Sequence, residues 1–216
     1  MALVRGIDVS GHQGTIDWDA VKADGIRFAV IKATQELFVD SKFQRNQIEA
    51  RRTMERVGYY HFFKHRLDPE AQARHFTKIV GPLRSSEFLV LDSEERDVSP
   101  DVAIPNLRAF LLEVERLSGK RPWIYTSPSL AKLLQLGHAF PRHPLWIAHW
   151  GTSQPQIPAG WGTWTIWQTS ASGRVAGIKG DVDLNVAESG FLGLGAVGVI
   201  VIGGLFWWIF LRKRRG

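Results

Sequence analysis

Residues Phe88 to Glu94 read Phe-Leu-Val-Leu-Asp-Ser-Glu, four apolar residues and then two acids separated by one serine. A run of this kind suits a strand buried on both faces. Side chains alternate along a strand, so Asp92 and Glu94 point the same way where the strand emerges, with backbones roughly 6.6 Å apart. Two carboxyl groups this close resist double ionisation, which raises one pKa and suits that group to donate a proton near neutral pH. On these residues alone a turn carrying solvated acids fits equally well, and the rest of the chain decides.

Two more acids stand at comparable places. Asp8 ends the stretch Gly6-Ile7-Asp8, and Asp183 lies in Asp181-Val182-Asp183-Leu184-Asn185. Strands are expected at Arg5–Ser10, Arg27–Thr34, Arg56–Phe63, Glu87–Ser93, Arg121–Thr126, Pro144–His149 and Thr165–Thr169, with a short eighth near Asp183. Helices are expected at Trp18–Ala23, Phe43–Met54, Pro69–Val80, Val102–Leu117 and Ser129–Leu136. Helices separate the early strands, and the last strands follow one another through turns. That order predicts a mostly parallel α/β barrel with a modified closing end, its chemistry at the C-terminal ends of the strands.

Closure puts the last strand beside the first, so Asp8, Asp92, Glu94 and Asp183 converge on one mouth. Such a cluster could bind a divalent cation or cleave a glycosidic bond with paired carboxyl groups. No His-x-x-x-His spacing supports a zinc site, and His61 and His149 read as packed or hydrogen-bonded neighbours. Aromatic residues recur near strand ends, at Tyr59, Tyr60, Tyr125, Trp146, Trp150 and Trp167. Tyr60, Tyr125, Trp146 and Trp150 are the candidates to face sugar rings, with Gln168 to fix orientation. The others read as barrel core.

Composition narrows the remaining classes. The 216 residues suit one domain with an appendage, and the absence of cysteine excludes disulfides, cysteine nucleophiles and thiolate metal sites. The net charge of +6 invites nucleic acid, but Arg212-Lys213-Arg214-Arg215 carries four of the 27 basic residues and leaves 23 against 21 acids. Without a basic stripe, nucleic-acid binding has no support. Phe191 to Leu211 carries no charge and as a helix spans about 31 Å, roughly a hydrocarbon core. A C-terminal transmembrane helix in the lipid bilayer is therefore expected. The domains read as a barrel at 1–187, a junction at 188–190, the span at 191–211 and a basic tail at 212–216. The tail argues for a cytoplasmic C-terminus and an outside barrel, whereas the N-terminus shows no signal peptide; the two arguments for topology conflict.

The chain resembles the family 25 glycoside hydrolases, the muramidase-type lysozymes of bacteria and bacteriophages. The matching stretches are Asp8-Val-Ser-Gly-His-Gln-Gly-Thr-Ile-Asp-Trp18, Phe28-Ala-Val-Ile-Lys-Ala-Thr34, Gly58-Tyr-Tyr-His-Phe62, Leu91-Asp-Ser-Glu94, Tyr125-Thr126 and Leu145-Trp-Ile-Ala148. Trp167-Gln168 and Gly173 to Asn185 complete the set, which runs in order from Gly6 to about Asn185. The resemblance implies a flattened (β/α)5β3 barrel, a modified TIM-like fold. It implies hydrolysis of the β-1,4 bond between N-acetylmuramic acid and N-acetylglucosamine in peptidoglycan glycan strands, without a cofactor and with net retention. Glu94 would be the general acid. Asp92 would stabilise the oxocarbenium-like centre or orient the substrate acetamido group, and Asp8 and Asp183 would hold the arrangement. Two departures stand out: Gln35-Glu36 where the family commonly has Glu-Gly, and Thr169 where an aromatic often follows Trp-Gln.

The function expected is a membrane-tethered muramidase, endolysin-like or serving wall remodelling. A non-catalytic wall-binding barrel and a glycosidase for another amino-sugar polymer are the alternatives.

Overall fold

The computed structural model describes residues 2–193. Nine strands form one sheet: β1 (Leu3–Val9), β2 (Ile26–Gln35), β3 (Phe38–Val39), β4 (Arg56–Phe62), β5 (Phe88–Asp92), β6 (Trp123–Thr126), β7 (Leu145–Ala148), β8 (Ile166–Gly173) and β9 (Val182–Glu188). The spatial order is β1-β9-β8-β7-β6-β5-β4-β2-β3, and β1 also pairs with β2, so eight strands close a barrel from which β3 projects as a short hairpin. Pairings from β1 through β8 around the β2 side are parallel, whereas β9 is antiparallel to both β8 and β1.

Helices α1 (Trp18–Ala23), α2 (Phe43–Thr53), α3 (Pro69–Val80) and α4 (Pro100–Ser118), and the pair α5 (Pro128–Leu133) and α6 (Leu136–Ala139), follow β1, β3, β4, β5 and β6. Five β/α units then give way to three strands, as the sequence predicts. Local signals set the helix ends. Asp17 and Asp68 each accept two backbone N–H groups at the starts of α1 and α3, and α4 ends on Gly119 in the left-handed conformation.

Each strand serves two apolar layers. Ile7, Ala29, Ile31, Tyr59, Leu89, Leu91, Ile124 and Ile147 face outward and pack under the helices with Phe76, Leu107, Phe110 and Val114. Phe28, Val30, Phe88, Val90, Trp123, Tyr125, Trp146, Ile166 and Ala187 fill the barrel itself. Two glycines make room for rings at its lower end. A Cβ on Gly6 would lie 2.3 Å from the Phe28 ring, and one on Gly58 would lie 2.4 Å from Phe88.

Four expectations change. The helix expected over Ser129–Leu136 is two, because Gln135 turns left-handed at φ 55 and Gly137 packs directly on the Ala159 backbone. The eighth strand is not short: β9 runs seven residues and pairs along β1 from Asp8↔Asp183 to Leu3↔Glu188. β7 and β8 are parallel, so residues 149–165 return from one end of the barrel to the other as a long connection rather than a turn.

The fourth change concerns the boundary at 187. Glu188 belongs to β9, and a 3-10 turn at Ser189–Leu192 tucks Phe191 and Leu192 into the floor of the barrel. There the Phe191 ring meets Phe28, Phe88 and Trp123 edge-on at 4.9, 5.8 and 5.8 Å. The Arg56 guanidinium lies 4.3 Å from the Phe191 ring centre and donates to the Phe191 carbonyl. Phe191 and Leu192 are thus barrel residues, not the start of a span. The remainder of the proposed span and the basic tail lie outside the described residues. No helix among the described residues is long and apolar enough to cross a membrane.

Candidate active site

All four acids come to the C-terminal ends of the parallel strands and line one cavity of about 250 Å³. Asp8 ends β1 and sits opposite Asp183 of β9 in register, so the two carboxyl groups are neighbours across the closing seam. Asp92 ends β5, flanked in register by Phe62 of β4 and Tyr125 of β6. Glu94 lies two residues beyond, at the exposed lip.

Asp8 is held from below. Its Oδ2 accepts from Gln168 Nε2 at 2.8 Å and from Asn185 Nδ2 at 2.7 Å. Asn185 in turn accepts from Trp146 Nε1 at 2.8 Å, and Gln168 accepts from the Tyr125 hydroxyl and from Trp150 Nε1, both at 3.0 Å. Burial, and then the adjacent Asp183 charge, push the Asp8 pKa well above the usual carboxylate range. Asp183 is also raised, by burial. This is the behaviour of two neighbouring acids that share a proton.

Asp92 is 5 % exposed, and its Oδ1 is buried without a hydrogen-bond partner among the described residues. Burial raises its pKa strongly, and the Glu94 charge adds to that. Glu94 is raised too, by loss of solvent around its carboxyl group. With both groups raised, this second pair can present a carboxylic acid beside a carboxylate, the equipment for protonating a leaving oxygen while stabilising positive charge.

The aromatic candidates divide by exposure. Trp150 is 54 % exposed, its indole N–H fixed by Gln168, and it borders a groove of about 710 Å³ with Glu94, Tyr125, Arg96 and Lys132. Tyr60 and Tyr125 line the acid cavity. Trp146 reaches the cavity floor but is 2 % exposed, and Gln168 is 1 % exposed with both ends of its amide engaged, so these two hold other site residues in place. His61 is sealed between Thr34 Oγ1 and Gln72 Oε1 and stacks on Phe110, and burial lowers its pKa to about 4. His149 accepts from the Gln156 N–H at 3.0 Å.

Sequence reasoning missed Asn185 and Lys32. Both follow from alternation: Asn185 is two residues from Asp183 on β9, and Lys32 continues the inward series Phe28, Val30 on β2. The Gln35-Glu36 departure has a structural counterpart. Glu36 adopts φ 53, the conformation a glycine would take there without cost, and it is tied down by Arg66.

The profile of the glycosyl hydrolases family 25 matches residues 7–178. Lysozyme M1 of Streptomyces globisporus is 36% identical over 84% of this chain and 67% of its own length. The autolytic lysozyme of Clostridium acetobutylicum is 32% identical over 90% of this chain and 59% of its own. Among solved structures, a bacterial lysozyme from Streptomyces coelicolor superposes with a TM-score of 0.81 at 34% identity, covering 86% of this chain and 92% of that one. A family 25 glycosyl hydrolase from Bacillus anthracis gives 0.79 at 28% identity, over 88% and 92%. By profile, sequence and fold together, the chain belongs to family 25 of the glycosyl hydrolases.

Proposed function

We propose that this enzyme is a muramidase, cleaving the β-1,4 bond between N-acetylmuramic acid and N-acetylglucosamine in peptidoglycan. The observation that carries this reading is the meeting of Asp8, Asp92, Glu94 and Asp183 in one cavity beside an aromatic-walled groove. The names of its relatives, lysozymes and an N,O-diacetylmuramidase of Arthroderma benhamiae at 28% identity, support the same substrate class.

In this mechanism Glu94, at the lip, protonates the leaving oxygen. Asp92 faces the developing positive charge or accepts the N–H of the substrate acetamido group through its carboxylate. A carboxylate that orients the acetamido group and one that meets the sugar carbon directly both lead to retention. Asp183 and Asp8, the latter fixed by Gln168 and Asn185, hold the adjoining wall. Tyr60, Tyr125 and Trp150 supply faces for sugar rings, supported by Trp146.

The reading extends to a tether: the uncharged run from residue 194 to Leu211 and the basic residues after it form a bilayer anchor, in the service of phage-induced lysis or of wall remodelling. Its support is sequence composition. Mass spectrometry of the products released from purified peptidoglycan tests the chemistry. Products ending in reducing muramic acid are expected from the wild type and not from Glu94→Gln. Wall binding without turnover at any pH would instead mark a binding module. Protease accessibility in spheroplasts reads the side on which the barrel lies.

A further inference from the structure

Lys32 brings a cation into a cavity that otherwise gathers acids. It lines the same space as Asp8, Asp92, Glu94 and Asp183, in register with Tyr60 on the neighbouring strand. Its ammonium donates to Gln35 Oε1 at 2.8 Å and lies 4.9 Å from the centre of the Phe62 ring. Lys64 approaches the same ring at 4.7 Å, but Lys64 has a carboxylate of its own, Glu95, at 3.0 Å. Among the described residues Lys32 makes no ion pair. Its hydrogen-bond acceptor, Gln35, is an amide. An amide fixes the ammonium in place without cancelling its charge.

We infer that Lys32 is a positioning residue of this site, whose uncancelled charge balances the ionised form of the Asp92–Glu94 pair so that the pair holds one proton rather than two. The inference deepens the hydrolytic reading and rests on it for its consequence in catalysis. Every other element packed on the cavity supplies negative or neutral groups: Asp8 from β1, Asp183 from β9, Tyr60 from β4, Tyr125 from β6, and Asp40 beyond β3. His12 lies in the loop after β1, and Lys64 is the other cation in range. Against burial and the Glu94 charge, which raise Asp92, Lys32 opposes most strongly, ahead of Lys64. It lowers Glu94 as well, so its removal shifts both groups the same way. Phe62 matters here because its ring gives the lysine a face to rest on, keeping it over the cavity.

Carboxyl carbon NMR titration of Asp92 and Glu94, on the full chain in detergent micelles, reads the pair without requiring turnover. In Lys32→Met the first ionisation of the pair is expected to move up by about one pH unit. Lys32→Arg should restore it. Gln35→Glu, which leaves the lysine in place but gives it a carboxylate, should move it the same way by a smaller amount. The bell-shaped profile of kcat/KM on peptidoglycan should follow, displaced towards alkaline pH. Unchanged titration in both Lys32→Met and Gln35→Glu overturns the inference, as does an arginine variant displaced as far as the methionine one. If Lys32→Met fails to fold, an unshifted Gln35→Glu is sufficient to overturn it. Absent turnover in the wild type, with the titration shift present, removes the hydrolytic reading and leaves the electrostatic role of Lys32 standing.

Discussion

At the floor of the barrel, Phe88, Trp123 and Phe191 surround one guanidinium, that of Arg56, whose acceptor is a backbone carbonyl. At the mouth, four carboxyl groups share a cavity with one ammonium, that of Lys32. The strands that carry these two ends are the same ones, and only the residue type changes from bottom to top. Below, π faces accept a cation, and burial of apolar rings dominates the energetics. Above, burial works against the groups it encloses, raising the pKa of Asp8, Asp92, Glu94 and Asp183 alike. One end contributes to stability and the other draws on it for a reactive site.

If that contrast holds, substitutions at the two ends should separate activity from stability. Glu94→Gln should lower turnover on peptidoglycan by about 10²- to 10⁴-fold, the range for losing a positioned proton donor, with little change in the urea midpoint. A large loss of stability would show that Glu94 is structural. Phe191→Ala should do the reverse. Emptying the floor is expected to cost about 3–5 kcal/mol in urea unfolding, while kcat on the folded fraction stays near wild type. A variant as stable as the parent would detach the 3-10 turn from the fold.

A pH series sharpens the mouth side. Because the folded pKa of Asp8 is raised, its contribution to stability is complete below the unfolded value of about 3.9 and is lost as pH rises through the folded value. The wild-type melting temperature should therefore decline as pH rises between those two values and level off above the folded one. Asp8→Asn mimics the protonated acid, accepting from Gln168 and Asn185 and donating to Asp183. It should flatten the decline and match or exceed wild-type stability at neutral pH. A profile as steep as the parent's would remove Asp8 as its source. The smallest effect is expected at Glu36→Gly. Relief of the left-handed backbone, about 1 kcal/mol, is offset by the lost Arg66 pair and by greater freedom of the unfolded chain. The measured change in unfolding free energy should be within about 1 kcal/mol of zero, and a larger loss would make the Arg66 pair a structural anchor.

The alternating architecture was legible because parallel strands buried on two faces are nearly continuous apolar runs, and β5 is the clearest of them. Acids closing such runs stand out at Asp8, Asp92 and Glu94. Asn185 and Lys32 sit on the same inward faces, but neither type announces chemistry outside its setting. The β3 hairpin escaped notice because Phe38 and Val39 are exposed and obey no core pattern. The break between α5 and α6 depends on Gly137 meeting residues 159–161, a contact no local window contains. Phe191 was ambiguous for a different reason. An aromatic at the head of an apolar run satisfies a barrel floor and a bilayer equally, and sequence alone does not say which non-aqueous surroundings it enters.

The antiparallel course of β9 has a further consequence. Because β9 runs downward beside β1, the chain passes Glu188 at the level of Leu3, and the Ser189 N–H donates to the Ala2 carbonyl at 3.0 Å. Chain entry and the described exit at Gly193 share the pole opposite the acids. Anything fused after Gly193, a label or a second domain, would therefore leave from behind the barrel and keep the mouth with its acids open to a long polymer.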